Sequence, residues 1–138
     1  MKNSADLVGR LFIGLFFFYE AFDTMIFFDL TRDTLTNYGI TFAQDWLIVG
    51  SILLLLLGGM SVIIGYYASV GAFLLLIYWF VFTVVVYSFW DDPIEVKSLH
   101  IKAFMRNMAL CGGLLMIVAN GAREWSVKRI FHVMRLPK

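Results

Sequence analysis

The chain has 138 residues, of which 61% are hydrophobic and 15% are charged, and its mean hydropathy is +0.82. A soluble domain is typically about 45–50% apolar and about 25% charged, so the composition excludes an ordinary soluble globular protein. The net charge of +1 is too balanced for a nucleic-acid-binding protein. With one cysteine, Cys111, the chain has no internal disulfide framework and no CxxC redox motif. The composition therefore predicts a small protein that crosses a membrane several times.

Four segments are long and apolar enough to cross the hydrocarbon core of a bilayer, which takes about 20 residues of helix. We predict spans at about residues 7–28, 46–65, 69–90 and 101–121. The third is rich in aromatic and β-branched residues, but it lacks the two-residue alternation of a strand, so we expect a helix there too. The predicted fold is an all-α membrane protein, a bundle of four transmembrane helices that forms a single domain over residues 1–138.

The segments between and after the spans differ in kind. The short link between the second and third spans predicts an antiparallel hairpin, and the mixed segment 29–45 predicts a short surface helix or a cap over the bundle. In the tail, residues 122–138, apolar residues at helical spacing oppose basic ones, which predicts an amphipathic helix on an anionic membrane surface. The alternative is an ordinary positively charged tail.

The positive charges predict the orientation, because short cytoplasmic segments of membrane proteins carry an excess of Lys and Arg. Four spans place both termini on the same side. That side holds six cations, and the opposite side holds three among several acids. We therefore predict that both termini are cytoplasmic.

Ionisable side chains lie within the first and fourth predicted spans, where each costs at least about 2.5–3.5 kcal/mol on insertion scales. The acids of the first span share a helix face and lie at a depth similar to that of the arginine of the fourth. These residues and their neighbours form the predicted polar cluster: Glu20, Asp23, Trp90, Asp91, His100, Arg106 and Asn107. Two interpretations stay open. The cluster is a pocket for a quinone head group, a small substrate or a relayed proton, or it is an ion pair that pins two helices together.

Arg10 lies near the inner end of the first span, too far along the helix to join that cluster. Together with Lys128 and Arg129 of the tail it is a predicted anchor to phosphates of the inner leaflet. The alternative for Arg10 is a contact with Asn120, near the inner end of the fourth span.

The sequence lacks the residues that several kinds of cofactor require. The two histidines, His100 and His132, flank opposite membrane faces, so they do not form the pair that a haem in a helical bundle usually needs. Cys111 is expected to be a packing residue. No phosphate-binding loop, dinucleotide glycine motif or zinc spacing is present. We expect no intrinsic cofactor, no metal site and no catalytic residue.

Three stretches of the sequence resemble the DoxX family of small four-helix membrane proteins. They are Arg10-Leu11-Phe12-Ile13-Gly14, Leu55-Leu56-Leu57-Gly58-Gly59, and Phe89-Trp90-Asp91 followed by a segment that runs from Phe104 to Leu115. The chain departs from the family pattern at Glu20 and Asp23, where family members often carry a glycine and a lysine, and it lacks their glutamate early in the second helix.

The resemblance implies a multi-pass protein of the bacterial cytoplasmic (inner) membrane. It also implies an accessory subunit of a quinone-linked oxidoreductase without a redox centre of its own, with quinone as the candidate ligand. The implied partners are membrane lipid and other membrane or peripheral subunits, or further copies of the chain. The alternative function is a structural or assembly subunit of a larger membrane complex. Transport is disfavoured, because the second and third spans contain few polar residues.

Overall fold

The computed structural model describes residues 2–87, 89–90 and 93–122, and in this part of the chain every regular element is a helix. The helices are α1 (Lys2–Ile26), α2 (Phe28–Asn37), α3 (Gln44–Ile64), α4 (Ala68–Val86) and α5 (Ile94–Asn120). The predicted all-α class is confirmed. Three helices, α3, α4 and α5, are long and apolar enough to cross a membrane. The number rises to four if α1 and α2, which meet at a bend of 88°, are counted as one broken span.

The helices differ in length from the predicted spans. α4 ends at Val86 rather than at Trp90, and α5 begins at Ile94 rather than at Ile101. Pro93 directly precedes α5, a position where its missing N–H leaves no helical hydrogen bond unmade. The short helix predicted between the first two spans is present as α2. The predicted amphipathic tail, apart from Ala122, lies outside the described residues.

The four long helices pack side by side in chain order, each antiparallel to the next. Glycines allow close approach at two of these contacts. Gly14 of α1 lies against Gly59 of α3, and Gly71 of α4 lies against Ser61 and Gly58 of α3. The predicted hairpin of the second and third spans corresponds to α3 and α4, which are joined by the turn at residues 65–67.

An aromatic cluster forms the centre of the bundle. The buried Trp79 ring of α4 meets Phe16 and Phe17 of α1 edge-on, at centroid distances of 5.3 Å and 5.5 Å. It also stacks on Phe82 at 5.0 Å. Such pairs contribute about 0.5–1.5 kcal/mol each beyond the area they bury. The two pairs that Trp79 forms with Phe16 and Phe17 connect α1 to α4 across the bundle.

α2 lies across the end of the bundle at which α3 begins. Arg32 donates to the Asp45 carboxylate of α3, with an Nη2–Oδ1 distance of 2.6 Å, and Asp45, chiefly through this hydrogen bond, raises the pKa of the Arg32 guanidinium above its ordinary value. Beyond α2, the Tyr38 hydroxyl donates to the Val86 carbonyl at the end of α4, at 2.9 Å. These bonds hold α2 and the loop after it over α3 and α4.

α1 and α5 form the least closed side of the bundle, which we call the α1–α5 face. Ile13 of α1 packs directly against Gly113 of α5. Because the two helices run antiparallel, Glu20, seven residues after Ile13, lies level with Arg106, seven residues before Gly113. Both are about 10 Å from the Ile13–Gly113 contact along the helix axes. This register sets the positions of the charged side chains along the face.

Candidate functional site

The predicted acids and the predicted arginine come to the same level of the α1–α5 face. Glu20 and Asp23 are half-buried on α1, and Arg106 is exposed on α5. Glu20 interacts electrostatically with both Asp23 and Arg106. Among the described side chains, however, no nitrogen–oxygen contact within 4.0 Å joins Arg106 to either acid. The charges are therefore close neighbours without a formed ion pair.

Two tyrosines that the sequence analysis did not single out are within electrostatic range of Glu20, although they are about 13 Å apart along α4. We call the charged residues and these two tyrosines the polar layer (Glu20, Asp23, Tyr78, Tyr87 and Arg106). Tyr78 of α4 lies beside the Ser51 hydroxyl of α3 and within electrostatic range of Glu20. Tyr87 follows the last residue of α4. Burial raises the pKa of its phenol above the ordinary value, the Glu20 charge adds to the rise, and Arg106 opposes it. Tyr87 thus stays neutral near pH 7 and offers a hydroxyl to the layer.

The remaining members of the predicted cluster lie elsewhere. Trp90 is exposed, and its ring lies against those of Phe89 and Phe104. His100 is half-buried, with its ring edge-on to Tyr87 at 6.0 Å. Asn107 is buried, and as the residue after Arg106 it points about 100° away around the helix. Asp91 lies outside the described residues.

Arg10 forms a second charged contact, at the opposite end of the α1–α5 face. Its side chain is only 1% exposed and is the largest fully buried one among the described residues. Its Nε donates to Asp6 at 3.1 Å, and its Nη1 donates to the Val62 carbonyl at 3.3 Å. Val62 is in the last turn of α3, where carbonyls lack helical partners and a cation is favoured by the helix dipole. This position favours a tie between α1 and α3 over the predicted headgroup anchor.

The other two predicted anchors, Lys128 and Arg129, lie outside the described residues. Asn120, the alternative partner for Arg10, donates to the Met116 carbonyl one turn earlier in its own helix, at 2.8 Å.

A cleft opens on the α1–α5 face beside Arg10. Its volume is about 500 Å³, and small or apolar residues form most of its wall, including Ala5, Gly9, Ile13, Gly113 and Met116. A Cβ atom added at Gly9 would meet nothing within 4 Å, which shows how open the wall is at that point. The face therefore combines a charged level at one end with an open apolar cleft at the other.

The described residues contain no group of three or more His, Cys, Asp or Glu side chains arranged to hold a metal ion. Cys111 is buried within the core, as expected of a packing residue.

A model of the family described as HR-like lesion-inducing matches residues 40–120, which is more than half of the chain. The chain belongs to the HR-like lesion-inducing family. The matched region contains α3, α4 and α5, so it includes Arg106 but neither Glu20 nor Arg10. The search of curated proteins and the search of solved structures each gave no significant match.

This family match shows that the predicted DoxX membership is wrong. The resemblance depended on short leucine–glycine and aromatic stretches, and such stretches recur wherever apolar helices pack closely. Their order along the chain was therefore weak evidence of a family.

Proposed function

We propose that the chain is an integral membrane protein in which α1, α3, α4 and α5 each cross the bilayer. The apolar composition of α3, α4 and α5 supports their insertion. For α1, the support is its side-by-side packing with α3 over the same length. The polar groups of α1 that face the bundle, at Arg10 and in the polar layer, have neighbours on other helices, as intramembrane ionisable residues usually do.

The proposed orientation has both termini on the cytoplasmic side, because six of the eight cations outside the predicted spans fall on that side. In this orientation α2 lies on the outer surface, and the Arg10 end of the bundle faces the cytoplasm. The bacterial inner membrane was implied by the DoxX resemblance and loses that support.

The proposed role within the membrane is structural: a non-catalytic subunit of a larger membrane assembly. The observation that carries this proposal is the Arg10 tie. The most deeply buried charge among the described residues is held by Asp6 and by the end of α3, where it joins α1 to α3. The accessory role in a quinone-linked oxidoreductase was implied by the DoxX resemblance, and the family match removes that support.

Isolation of the tagged protein from its native membranes in a mild detergent tests the structural role. We expect a stable particle larger than one chain, without a stoichiometric redox enzyme and without extractable quinone. A redox enzyme at equal stoichiometry contradicts the structural role. So does a bound quinone that is lost in Arg106→Leu and retained in the control Lys102→Leu, which removes another exposed cation from the same helix.

A further inference from the structure

The α1–α5 face carries opposite charges side by side at one depth. Arg106 is exposed on α5, whereas Glu20 and Asp23 lie on the neighbouring edge of α1. Arg106 is without an ion pair among the described side chains, and two acids face this one cation. An exposed arginine within the membrane is costly. A surface that supplies it with a second carboxylate is therefore favoured.

A second copy of the chain supplies that carboxylate at the correct depth. A two-fold axis along the membrane normal turns the face onto itself, so that α1 of one copy lies opposite α5 of the other. In a dimer of this symmetry, each contact between two different residues occurs twice, so the face must be complementary to itself. Rotation about this axis does not change depth. Arg106 of each copy therefore meets the level of Asp23 and Glu20 on the other.

We propose that the chain forms a homodimer through the α1–α5 face, in which Arg106 of each copy pairs with Asp23 of the other. Asp23 is about one helical turn, or roughly 4.5 Å, from the level of Arg106, a distance that an arginine side chain spans. Glu20 stays within electrostatic range of Arg106 of its own chain. The same contact covers the cleft beside Arg10. This inference rests on the proposed membrane insertion and names the first partner of the proposed assembly.

Two charge-reversal variants, Asp23→Arg and Arg106→Asp, distinguish a charge pair between two copies from a charge pair within one chain. In Asp23→Arg copies, two cations meet at each contact, and in Arg106→Asp copies, two acids meet. We expect each variant alone to be monomeric. In a mixed dimer, the introduced arginine faces the introduced aspartate at one contact, and the unaltered Asp23 faces the unaltered Arg106 at the other. Differently tagged variants, co-expressed and reconstituted in lipid nanodiscs, should therefore pair with each other at least ten times more often than with themselves.

A charge pair that acts only within one chain predicts no recovery on mixing, because each variant keeps its own mismatched charges. Failure of the mixed pair to form, with both variants inserted and folded by circular dichroism, overturns the proposal. Self-association of either single variant to the same extent as the unaltered chain also overturns it, since the pairing of Arg106 with Asp23 would then not hold the two copies together.

Cysteine crosslinking provides a second measurement that needs no charge reversal. In a Cys111→Ala background, Ala109→Cys places a thiol on the exposed edge of α5 near Arg106 and close to the proposed axis. We expect oxidation to give a crosslinked dimer there but not at the control, Leu53→Cys, on the exposed side of α3. Crosslinking at both sites or at neither, in protein shown to be inserted, contradicts the face proposed here and leaves the membrane topology unaffected.

Discussion

At the scale of single residues, two arginines within the bundle have opposite environments. Arg10 is almost completely buried and hydrogen-bonded to Asp6 and Val62. Arg106 is exposed and has no ion pair among the described side chains. In detergent solution, burial determines how much a charge contributes to the stability of one chain, because water compensates an exposed charge and leaves a buried one to its protein partners.

We therefore expect Arg10→Leu to lower the free energy of unfolding by about 3 kcal/mol, the low end of the range for breaking a buried pair. The low end applies because Asp6, whose side chain is 19% exposed, keeps some access to water once the arginine is gone. Unfolding in detergent, followed by circular dichroism, measures the change.

The matched control is Arg106→Leu, which should change the stability of the isolated chain by less than about 1 kcal/mol. An equal loss in the two variants would contradict the difference that we draw between them. The double variant Arg10→Leu with Asp6→Leu should be less damaging than the sum of its parts, because the two residues are in contact.

The sequence did not allow us to predict that Arg10 is buried. Its position near the inner end of the first span was predicted, and such residues commonly extend to lipid phosphates. In the structure it donates to Asp6 of its own helix and to a carbonyl in the last turn of α3, 52 residues away, which the packing of α1 against α3 brings within reach. The contact with α3 depends on which helices pack against each other, and the spacing of residues along one helix does not predict that.

At the scale of helices, glycines determine how closely neighbours approach. A Cβ atom at Gly71 of α4 would lie 2.7 Å from the Ser61 Cβ of α3 and 3.2 Å from the Gly58 carbonyl oxygen. Backbone cannot give way as a flexible side chain does, so the two helices would have to separate. The α3–α4 hairpin therefore depends on this position.

We expect Gly71→Ala to destabilise the protein by about 1–3 kcal/mol, the usual effect of overpacking. Gly112→Ala is the control, because a Cβ atom at Gly112 meets nothing within 4 Å on the exposed side of α5. There the substitution should stabilise the helix by up to about 1 kcal/mol. Thermal unfolding of both variants decides the matter, and losses of equal size at the two positions would argue against close packing at Gly71.

A strained residue begins α3. Ala43 has φ +50° and ψ +35°, the left-handed conformation that costs a residue with a Cβ atom roughly 1–2 kcal/mol. Ala43→Gly should therefore raise the stability by about 1 kcal/mol. Ala109→Gly, in the middle of α5, should lower it by about 0.5–1 kcal/mol. If both changes lower the melting temperature, the left-handed backbone at Ala43 is not a source of strain.

Helical character was predictable from the sequence, whereas helix ends were less so. The apolar runs predicted α3 and α4 as a hairpin, and the mixed segment predicted α2. The start of α5 was placed seven residues late, because Glu95 and Lys97 interrupt the apolar pattern in its first turns. Hydropathy reports the apolar part of a helix, and α5 begins before its apolar part.

At the scale of the whole molecule, the polar layer was predictable only in part. Equal depth of Glu20, Asp23 and Arg106 follows from counting residues along two antiparallel helices. The sequence analysis missed Tyr78 and Tyr87. A tyrosine in one apolar span and a serine in the neighbouring span is a signal that could have indicated them. The family was predicted incorrectly, because short motifs of small and apolar residues serve packing in many membrane proteins.

The measurement that tests the central claim, four membrane crossings, is the accessibility of single cysteines in intact and permeabilised cells. In a Cys111→Ala background, Ser4→Cys and Tyr66→Cys lie at one end of the bundle, and Phe42→Cys lies at the other; all three positions are exposed. Four crossings predict that a membrane-impermeant thiol reagent labels Phe42→Cys in intact cells, and labels Ser4→Cys and Tyr66→Cys only after permeabilisation. Labelling of Ser4→Cys on the same side as Phe42→Cys would show that α1 does not cross the membrane, and would contradict the four-span bundle.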